Sequence, residues 1–260
     1  MNDKRTNIFI ILAGIFITNA IVAEIIGVKI FSAEAFFGVK PANIHLFGDF
    51  TLDFNLTAGV VIWPVVFITT DIINEYFGKE GVKKVSILTA ILIVFVFLAI
   101  YVVTILPPAS FWLDINDTDS EGNPFNIDFA FRTIFRQGLG IIVGSLVAFL
   151  IGQLLDVYIF QKLRRITGTR MIWLRATGST LISQFIDSFV VLIIAFYFWG
   201  NWSFSQVIAV GIINYIYKFA VAILLTPLIY LGHYLIDLYL GKELSNEMTE
   251  EAARGSQSFI

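Results

Sequence analysis

Two carboxylates one helical turn apart stand out in "TTDIINEYFGKE", residues 69–80, which follows a long uncharged apolar run. Asp71 and Glu75 are spaced i, i+4, so they share one face of a helix, where two ionised carboxylates repel each other. In a low-dielectric site such a pair takes up a proton or draws in a cation or a ligand. The simpler alternative is pairing at the membrane surface with the lysines that follow, Lys79, Lys83 and Lys84.

A second polar pattern lies in "RATGSTLISQFIDSFVVLIIAF", where Ser179, Ser183 and Asp187 recur every four residues and Gln184 precedes the aspartate by three. An ionised side chain at the bilayer centre costs about 2.5–3.5 kcal/mol on insertion scales, so such groups usually face a bundle interior or a wet cavity. A packing seam of small residues is the alternative. A seam alone does not require a carboxylate, and the pattern therefore favours a cavity lining.

Lys218 lies deep in a third apolar segment, "INYIYKFAVAILLTP". A lysine at that depth needs a carboxylate partner or must lose its charge, and Asp187 and Asp71 are both candidate partners. The other candidates for one shared polar cavity are Asn19, Asn74 and Trp63, with Glu24 and Asn214 in addition. Aromatic residues that could stack on a planar ligand are Trp63, Phe67, Tyr76, Phe185 and Phe189.

The composition indicates what kind of protein positions these groups. Of 260 residues, 57% are hydrophobic and 14% charged, where soluble domains carry about 25% charged residues. Apolar runs long enough to cross a hydrocarbon core of roughly 30 Å recur along the chain. The chain has no cysteine, which excludes disulfides, zinc thiolate sites and iron–sulfur clusters. The sequence predicts an all-α integral membrane protein.

Six transmembrane helices account for the apolar runs, at about 7–31, 57–77, 84–106, 137–160, 173–199 and 206–232. Pro64 is expected to kink or break the second of them near mid-membrane. The spans form one transporter domain, residues 1–240, followed by a cytoplasmic tail at 241–260. Residues 43–55, "NIHLFGDFTLDFN", alternate apolar and polar about Gly48-Asp49, which predicts a short extracytoplasmic hairpin between helices 1 and 2.

Positive charge is unevenly divided between the two sides of this arrangement. Twelve of the 17 Lys and Arg residues fall on the side of both termini: Lys4, Arg5, Lys79, Lys83, Lys84, Lys162, Arg164, Arg165, Arg170, Arg175, Lys242 and Arg254. Four lie on the opposite side of the membrane: Lys29, Lys40, Arg132 and Arg136. Lys218 lies within a span and is counted on neither side. The positive-inside rule therefore places both termini in the cytoplasm.

The sequence carries no H-E-x-x-H, no G-x-S-x-G and no P-loop, so it lacks the common signatures of hydrolysis. A membrane-embedded hydrolase or transferase would depend on His233 and Asp237, spaced i, i+4 near the inner end of the sixth span. No third metal ligand is evident beside them, which favours an interfacial pair. We therefore expect binding and translocation, with no cofactor, no metal and no nucleic-acid partner.

Three segments resemble motifs of a bacterial membrane family, the queuosine precursor transporters, formerly grouped as a vitamin uptake family. "TAGVVIWPVVFITTDIINEYFGKEGVKK" is similar to the family's T-D-x-x-x-E-x-x-G signature, and "GSTLISQFIDSFVVLIIAF" to its S-x-x-x-D signature. "INYIYKFAVAILLTPLIY" matches the lysine-bearing last span. The likeness covers residues 14–235, and the acidic loop at 107–128 is longer than is typical.

The resemblance implies import of 7-cyano-7-deazaguanine, with 7-aminomethyl-7-deazaguanine as a second candidate, across a bacterial cytoplasmic membrane. A guanine-like edge presents an N–H and an amine side by side, and one carboxylate can accept hydrogen bonds from both. Asp187 or Glu75 is expected to do so, while an aromatic ring stacks on the base and Gln184 or Asn74 reads the carbonyl.

Alternating access around the buried carboxylates is the expected mechanism. Proton coupling through Asp71, Glu75 or Asp187 is one option for the energy source, which the sequence leaves open. It also leaves open the preferred precursor, a homo-oligomeric state and the role of the acidic loop. The alternative to a secondary transporter is a substrate-binding membrane subunit of an energy-coupled vitamin or nucleobase importer.

Overall fold

The computed structural model describes residues 2–27, 29–47, 50–137, 139–167, 171–198 and 202–255, which are mostly helical. The helices are α1 (Asn2–Ile26), α2 (Ala33–Phe36), α3 (Trp63–Ile105), α4 (Ser110–Asp114), α5 (Ile127–Gln137), α6 (Leu139–Thr167), α7 (Ile172–Leu192), α8 (Phe204–Leu240) and α9 (Lys242–Gly255). A 3₁₀ turn, Ala58–Val61, precedes α3, and a π-helical turn, Ile193–Phe198, continues α7.

Among the described residues, four helices are long and apolar enough to cross a membrane: Lys4–Ile26, Trp63–Ile105, Gly144–Thr167 and Phe204–Leu240. This agrees with the expected all-α membrane class. Most of the second and third expected spans, about 57–77 and 84–106, lies in one helix, α3, which has 43 residues and begins at Trp63. A straight helix of that length would measure roughly 64 Å, about twice the thickness of a hydrocarbon core.

Gly78 breaks α3 into a first arm, 63–77, and a second arm, 79–105. Its φ of 66° and ψ of −168° lie in a region that is essentially restricted to glycine. The break lies against α9, since a Cβ at Gly78 would be 3.2 Å from the backbone oxygen of Ala252. The two arms are therefore separate helices joined at one residue.

Both far ends of α3 lie near the N-terminal part of α6. The ring of Trp63, at the start of the first arm, is 6.0 Å from the ring of Phe149. At the end of the second arm, Thr104 Oγ1 accepts a hydrogen bond of 2.9 Å from Arg136, just before α6. Because the break at Gly78 instead lies beside α9, these contacts indicate that the second arm turns back along the first.

Pro64 does not kink a helix, but the expected span 57–77 is broken just before it, where the 3₁₀ turn Ala58–Val61 gives way to α3. α3 begins at Trp63, so the proline occupies the first turn of the helix. Backbone N–H groups in the first turn have no partner within the helix, and the fixed φ of proline suits a helix start. The apolar run before Pro64 forms the 3₁₀ turn Ala58–Val61 and not the beginning of the span.

One apolar core joins α1, both arms of α3, α6, α8 and α9. Its buried members are Ile8, Leu12, Phe16, Ala20, Val66, Ile72, Ile73, Tyr76, Val82, Val85, Phe149, Val157, Ile236, Leu240, Leu244 and Met248. Large apolar side chains on the second arm of α3 are exposed, among them Ile91, Phe95 and Leu98. An exposed apolar surface of this kind would be unfavourable in water and suits contact with lipid.

Residues of the expected tail form α9, which packs against the end of the bundle where α8 ends. Besides the two apolar residues that α9 gives to the core, its Thr249 backbone oxygen accepts a hydrogen bond of 2.6 Å from Arg164 of α6. Arg5 of α1 forms ion pairs of 2.9 and 2.8 Å with Glu247 and Glu251. The helix therefore connects α1 and α6 at this end.

The described residues between α1 and α3 include four short strands: β1 (Ile30–Ser32), β2 (Ile44–Phe47), β3 (Phe50–Leu52) and β4 (Asn55–Thr57). β1 pairs antiparallel with β4, and β2 pairs antiparallel with β3. The turn expected at Gly48 and Asp49 lies outside the described residues.

Glu34 is the polar centre of this strand segment and is only 5% exposed. Its carboxylate accepts hydrogen bonds from the backbone N–H of Phe54 at 2.6 Å and of Ala42 at 3.4 Å. The hydroxyl of Ser32 donates a third at 3.0 Å. These donors, the Phe54 N–H above all, lower the pKa of Glu34 from its ordinary 4.5, because they stabilise the ionised form.

Acidification is expected to loosen the strand segment. Since the pKa of Glu34 is depressed on folding, its contribution to stability is fully present above the ordinary pKa of 4.5 and is lost as the pH falls through the folded value. At neutral pH, Glu34→Gln should speed amide hydrogen exchange at Phe54 and Ala42, after correction for intrinsic rates. That difference from wild type should shrink as the pH falls.

Glu121→Gln is the control, since Glu121 is an exposed carboxylate in the loop after α4. It should leave exchange in the strand segment unchanged. Equal protection in Glu34→Gln and wild type at neutral pH would mean that this carboxylate does not hold the segment together.

Candidate functional site

A cavity of about 570 Å³ lies among α1, the first arm of α3, α6, α7 and α8, and the strand segment borders it at Asp53, Asn55 and Thr57. The volume is in the range that small-molecule sites occupy. The ionisable lining residues are Glu24, Asp53, Asp156, Asp187 and Lys218, with Tyr217 beside them. The cavity therefore has an acidic lining.

Three aromatic rings contribute an apolar wall: those of Trp63, Phe67 and Phe149. The rings of Trp63 and Phe67 are 6.0 Å apart and inclined by only 20°, while Phe149 is tilted by 41° to Trp63 at 6.0 Å. Aromatic rings in a cavity lining offer faces on which a planar ligand can stack. Trp63 was expected in this role from the sequence.

Lys218 of α8 pairs with Asp187 of α7 across the cavity lining. The distance from Nζ to Oδ2 is 2.5 Å, and both side chains are about one-fifth exposed. Of the two partners considered for this lysine, the structure selects Asp187 and not Asp71. A charge-assisted hydrogen bond of this kind compensates two charges that would be costly alone.

Asp156 of α6 also faces α7 and was not among the site residues expected from the sequence. It is 5% exposed, and its Oδ1 accepts a hydrogen bond of 3.2 Å from Ser183. Its Oδ2 and the Oε1 of Gln184 are buried and accept no hydrogen bond from the described residues. Both residues line the cavity, so the site contains two acceptor atoms without a donor.

Glu75 lies outside the cavity lining and is held by arginines. Arg175 approaches it with two nitrogens, Nη2 at 2.6 Å from Oε1 and Nε at 3.1 Å from Oε2. Arg164 Nη2 lies 3.5 Å from Oε1. Arg175 is fully buried, and its guanidinium lies 5.8 Å from the centre of the Phe160 ring. Both oxygens of Glu75 are thus already used.

Asp71 and Asn74 are buried and do not line the cavity. The Oδ1 of Asp71 accepts no hydrogen bond from the described residues, and the charges of Asp156, Glu75 and Arg175 interact with it. The Oδ1 of Asn74 accepts a hydrogen bond of 2.6 Å from Gln161. These groups form a polar layer that is separate from the cavity lining.

Asn19 donates to the backbone oxygen of Ile15, one turn earlier in α1, at 2.7 Å, and also lies outside the lining. Of the nine residues expected from the sequence, the cavity brings together five: Asp187, Gln184, Ser183, Lys218 and Trp63. The four that it does not include are Asp71, Asn74, Glu75 and Asn19. The binding roles of all nine stay predictions.

His233 and Asp237 of α8 belong to a network that joins three helices. The hydroxyl of Tyr76, in the first arm of α3, donates to Asp237 at 2.7 Å and lies 3.1 Å from Nδ1 of His233. Ser245 of α9 also donates to Asp237. Within the part of the chain that the structure describes, no group of three His, Cys, Asp or Glu side chains could hold a metal ion. The network ties α9 to the bundle.

Sequence comparison identifies the kind of protein that carries this cavity. The profile of a family described as "Putative vitamin uptake transporter" matches residues 57–232. A "Probable queuosine precursor transporter" of Bacillus subtilis is 33% identical over 75% of this chain and 79% of its own. The protein of that name from Haemophilus influenzae is 28% identical, over 72% and 71% of the two chains.

The "Queuosine precursor transporter" of Escherichia coli K12 is 30% identical over 56% of this chain and 58% of its own. No solved structure gives a significant match. The family profile covers more than half of the chain, and the relatives are named as transporters and not as enzymes. The chain therefore belongs to the queuosine precursor transporter family of membrane proteins.

Proposed function

We propose that this protein is a secondary transporter that imports queuosine precursors, 7-cyano-7-deazaguanine and also 7-aminomethyl-7-deazaguanine, across the cytoplasmic membrane of a bacterium. The names of its relatives support the substrate class. The cavity is the observation that carries the proposal for this chain. It has room for one purine-like base, and it combines stacked aromatic rings with carboxylates and an amide.

The proposed topology has six crossings with both termini in the cytoplasm. The six segments are α1, the two arms of α3, α6, α7 with its π-helical continuation, and α8. The contacts at Trp63, Gly78 and Thr104 support opposite directions for the two arms. The excess of lysine and arginine on the side of the termini supports the orientation.

Asp187 is proposed to exchange partners during transport. In the structure it holds Lys218 at 2.5 Å, and a donor elsewhere on the bound base than its N–H and amine edge would compete with that ammonium group. Lys218, once released, must find another acceptor or lose its proton. Such a swap couples binding to a change in the contact between α7 and α8, as alternating access requires.

Proteoliposomes that contain only the purified protein are expected to take up radiolabelled 7-cyano-7-deazaguanine. Asp187→Asn should lower the initial rate by at least about tenfold, because an amide replaces a charge-assisted acceptor. Uptake is measured by rapid filtration, with unlabelled guanine and both deazaguanine precursors as competitors.

Asp114→Asn is the matched control, since Asp114 is an exposed carboxylate in α4; it should transport at the wild-type rate. Wild-type uptake by Asp187→Asn would refute the role of this carboxylate. If the wild-type protein takes up substrate only after an ATPase partner is added, it is the binding subunit of an energy-coupled importer and not a secondary transporter.

A further inference from the structure

We infer that Asp156, with Gln184 beside it, is the group that recognises the N–H and amine edge of the base and so determines specificity. This inference rests on the proposed function, because it assigns the substrate contact within the same cavity. It gives the central binding role to a residue of α6, where the sequence pattern had pointed to Asp187 or Glu75.

The two carboxylates to which the sequence had pointed, Glu75 and Asp187, are already engaged. Both oxygens of Glu75 accept hydrogen bonds from Arg175, and Glu75 does not line the cavity. Asp187 faces the cavity but holds Lys218 at 2.5 Å. A ligand could use either of them only by breaking a charge-assisted pair.

Asp156 differs from these two carboxylates, because it lines the cavity and one of its oxygens has no donor among the described residues. Its Oδ1 is fixed by Ser183 at 3.2 Å, and the hydroxyls of Ser179 and Thr180 lie near the same carboxylate. Its Oδ2 nevertheless accepts no hydrogen bond from the described residues. A buried acceptor in this condition is costly unless a donor arrives. The carboxylate is thus oriented by α7 while one oxygen is left for a ligand.

Gln184 supplies the second free acceptor. It is 7% exposed, and its Oε1 also accepts no hydrogen bond from the described residues. It follows Ser183 in the chain, so the amide and the hydroxyl that fixes Asp156 come from the same turn of α7. Two buried acceptors in one cavity call for a ligand with at least two donors, and a guanine-like edge offers an N–H next to an amine.

The test compares two ligands that differ only in the exocyclic amine, 7-deazaguanine and 7-deazahypoxanthine. Binding to the purified full-length protein is measured by isothermal titration calorimetry. The wild type should prefer 7-deazaguanine by about tenfold or more, since a site built for a donor rejects a ligand without it. Asp156→Asn should lower affinity for 7-deazaguanine at least about tenfold and largely abolish that preference.

Thermal unfolding in detergent reports whether each variant is folded, and Asp114→Asn serves again as the control that should bind like the wild type. Gln184→Leu removes the second acceptor without a change of charge, and it should also reduce the preference. If Asp156→Asn does not fold, Gln184→Leu becomes the test. An undiminished preference of that variant for 7-deazaguanine over 7-deazahypoxanthine would overturn the inference.

Two further outcomes separate this inference from the function on which it rests. If Asp156→Asn folds and keeps the wild-type preference while Asp187→Asn loses it, Asp156 is not the recognition residue, although the proposed function stands. If the wild-type protein binds neither 7-deazaguanine nor 7-cyano-7-deazaguanine, the proposed function fails together with the inference.

Discussion

Arg175→Ala is expected to lower the free energy of unfolding by about 3–5 kcal/mol, the range found when one partner of a buried ion pair is removed. The side chain of Glu75 is 4% exposed and that of Arg175 is not exposed at all. The alanine variant would leave the carboxylate buried without its two-nitrogen partner, with only the longer ion pair to Arg164 at 3.5 Å. The measurement is reversible unfolding in detergent, followed by circular dichroism.

Arg254→Ala is the matched control, because Arg254 forms an exposed ion pair with Glu250 at 3.0 Å. Exposed pairs contribute about 0–1 kcal/mol, so this variant should be nearly as stable as the wild type. The double variant Glu75→Gln, Arg175→Met removes both charges and should lose less stability than the sum of its single changes. Strictly additive losses would contradict a direct interaction between the two residues.

Gly78→Ala is expected to lower the free energy of unfolding by about 1–3 kcal/mol through backbone strain alone. The φ of 66° and ψ of −168° at this residue are unfavourable for any side chain. The added Cβ would also lie 3.2 Å from the backbone oxygen of Ala252, so α9 would have to shift. The same unfolding measurement applies, together with protease sensitivity of the α9 segment.

Gly14→Ala provides the comparison for this second prediction. Gly14 is in the middle of α1, and a Cβ there would meet no atom within 4 Å. Alanine is favoured over glycine in a helix by up to about 1 kcal/mol, so this variant should be at least as stable as the wild type. If Gly78→Ala behaved in the same way, the break in α3 would not depend on glycine.

The sequence alone was enough to find Asp187 of α7 and Lys218 of α8. Asp187 and Lys218 interrupt long apolar runs, and the cost of burying each charge in lipid requires a partner or a cavity. Asp156 could have been found by the same rule. It is the lone carboxylate in "IGQLLDVYIF", but it has no polar stripe beside it of the kind that drew attention to Asp187.

Arg175 shows where sequence reasoning ends. It lies at the very start of the fifth expected span, 173–199, and was counted as a cytoplasmic cation, yet it is fully buried against a residue 100 positions earlier. No local pattern encodes a pair of that separation. The break in α3 was equally hidden, because two expected spans and the polar residues between them form helix on both sides of one glycine.

The acidic lining of the cavity is expected to select ligands by their charge. Among the described lining residues are four carboxylates, Glu24, Asp53, Asp156 and Asp187, and one ammonium group, Lys218. Field lines are focused in a cleft with low-dielectric walls, so a lining of this sign repels anions and attracts cations. We therefore expect this cavity to disfavour nucleotides, which carry phosphate, relative to an uncharged base or a base with an ammonium substituent.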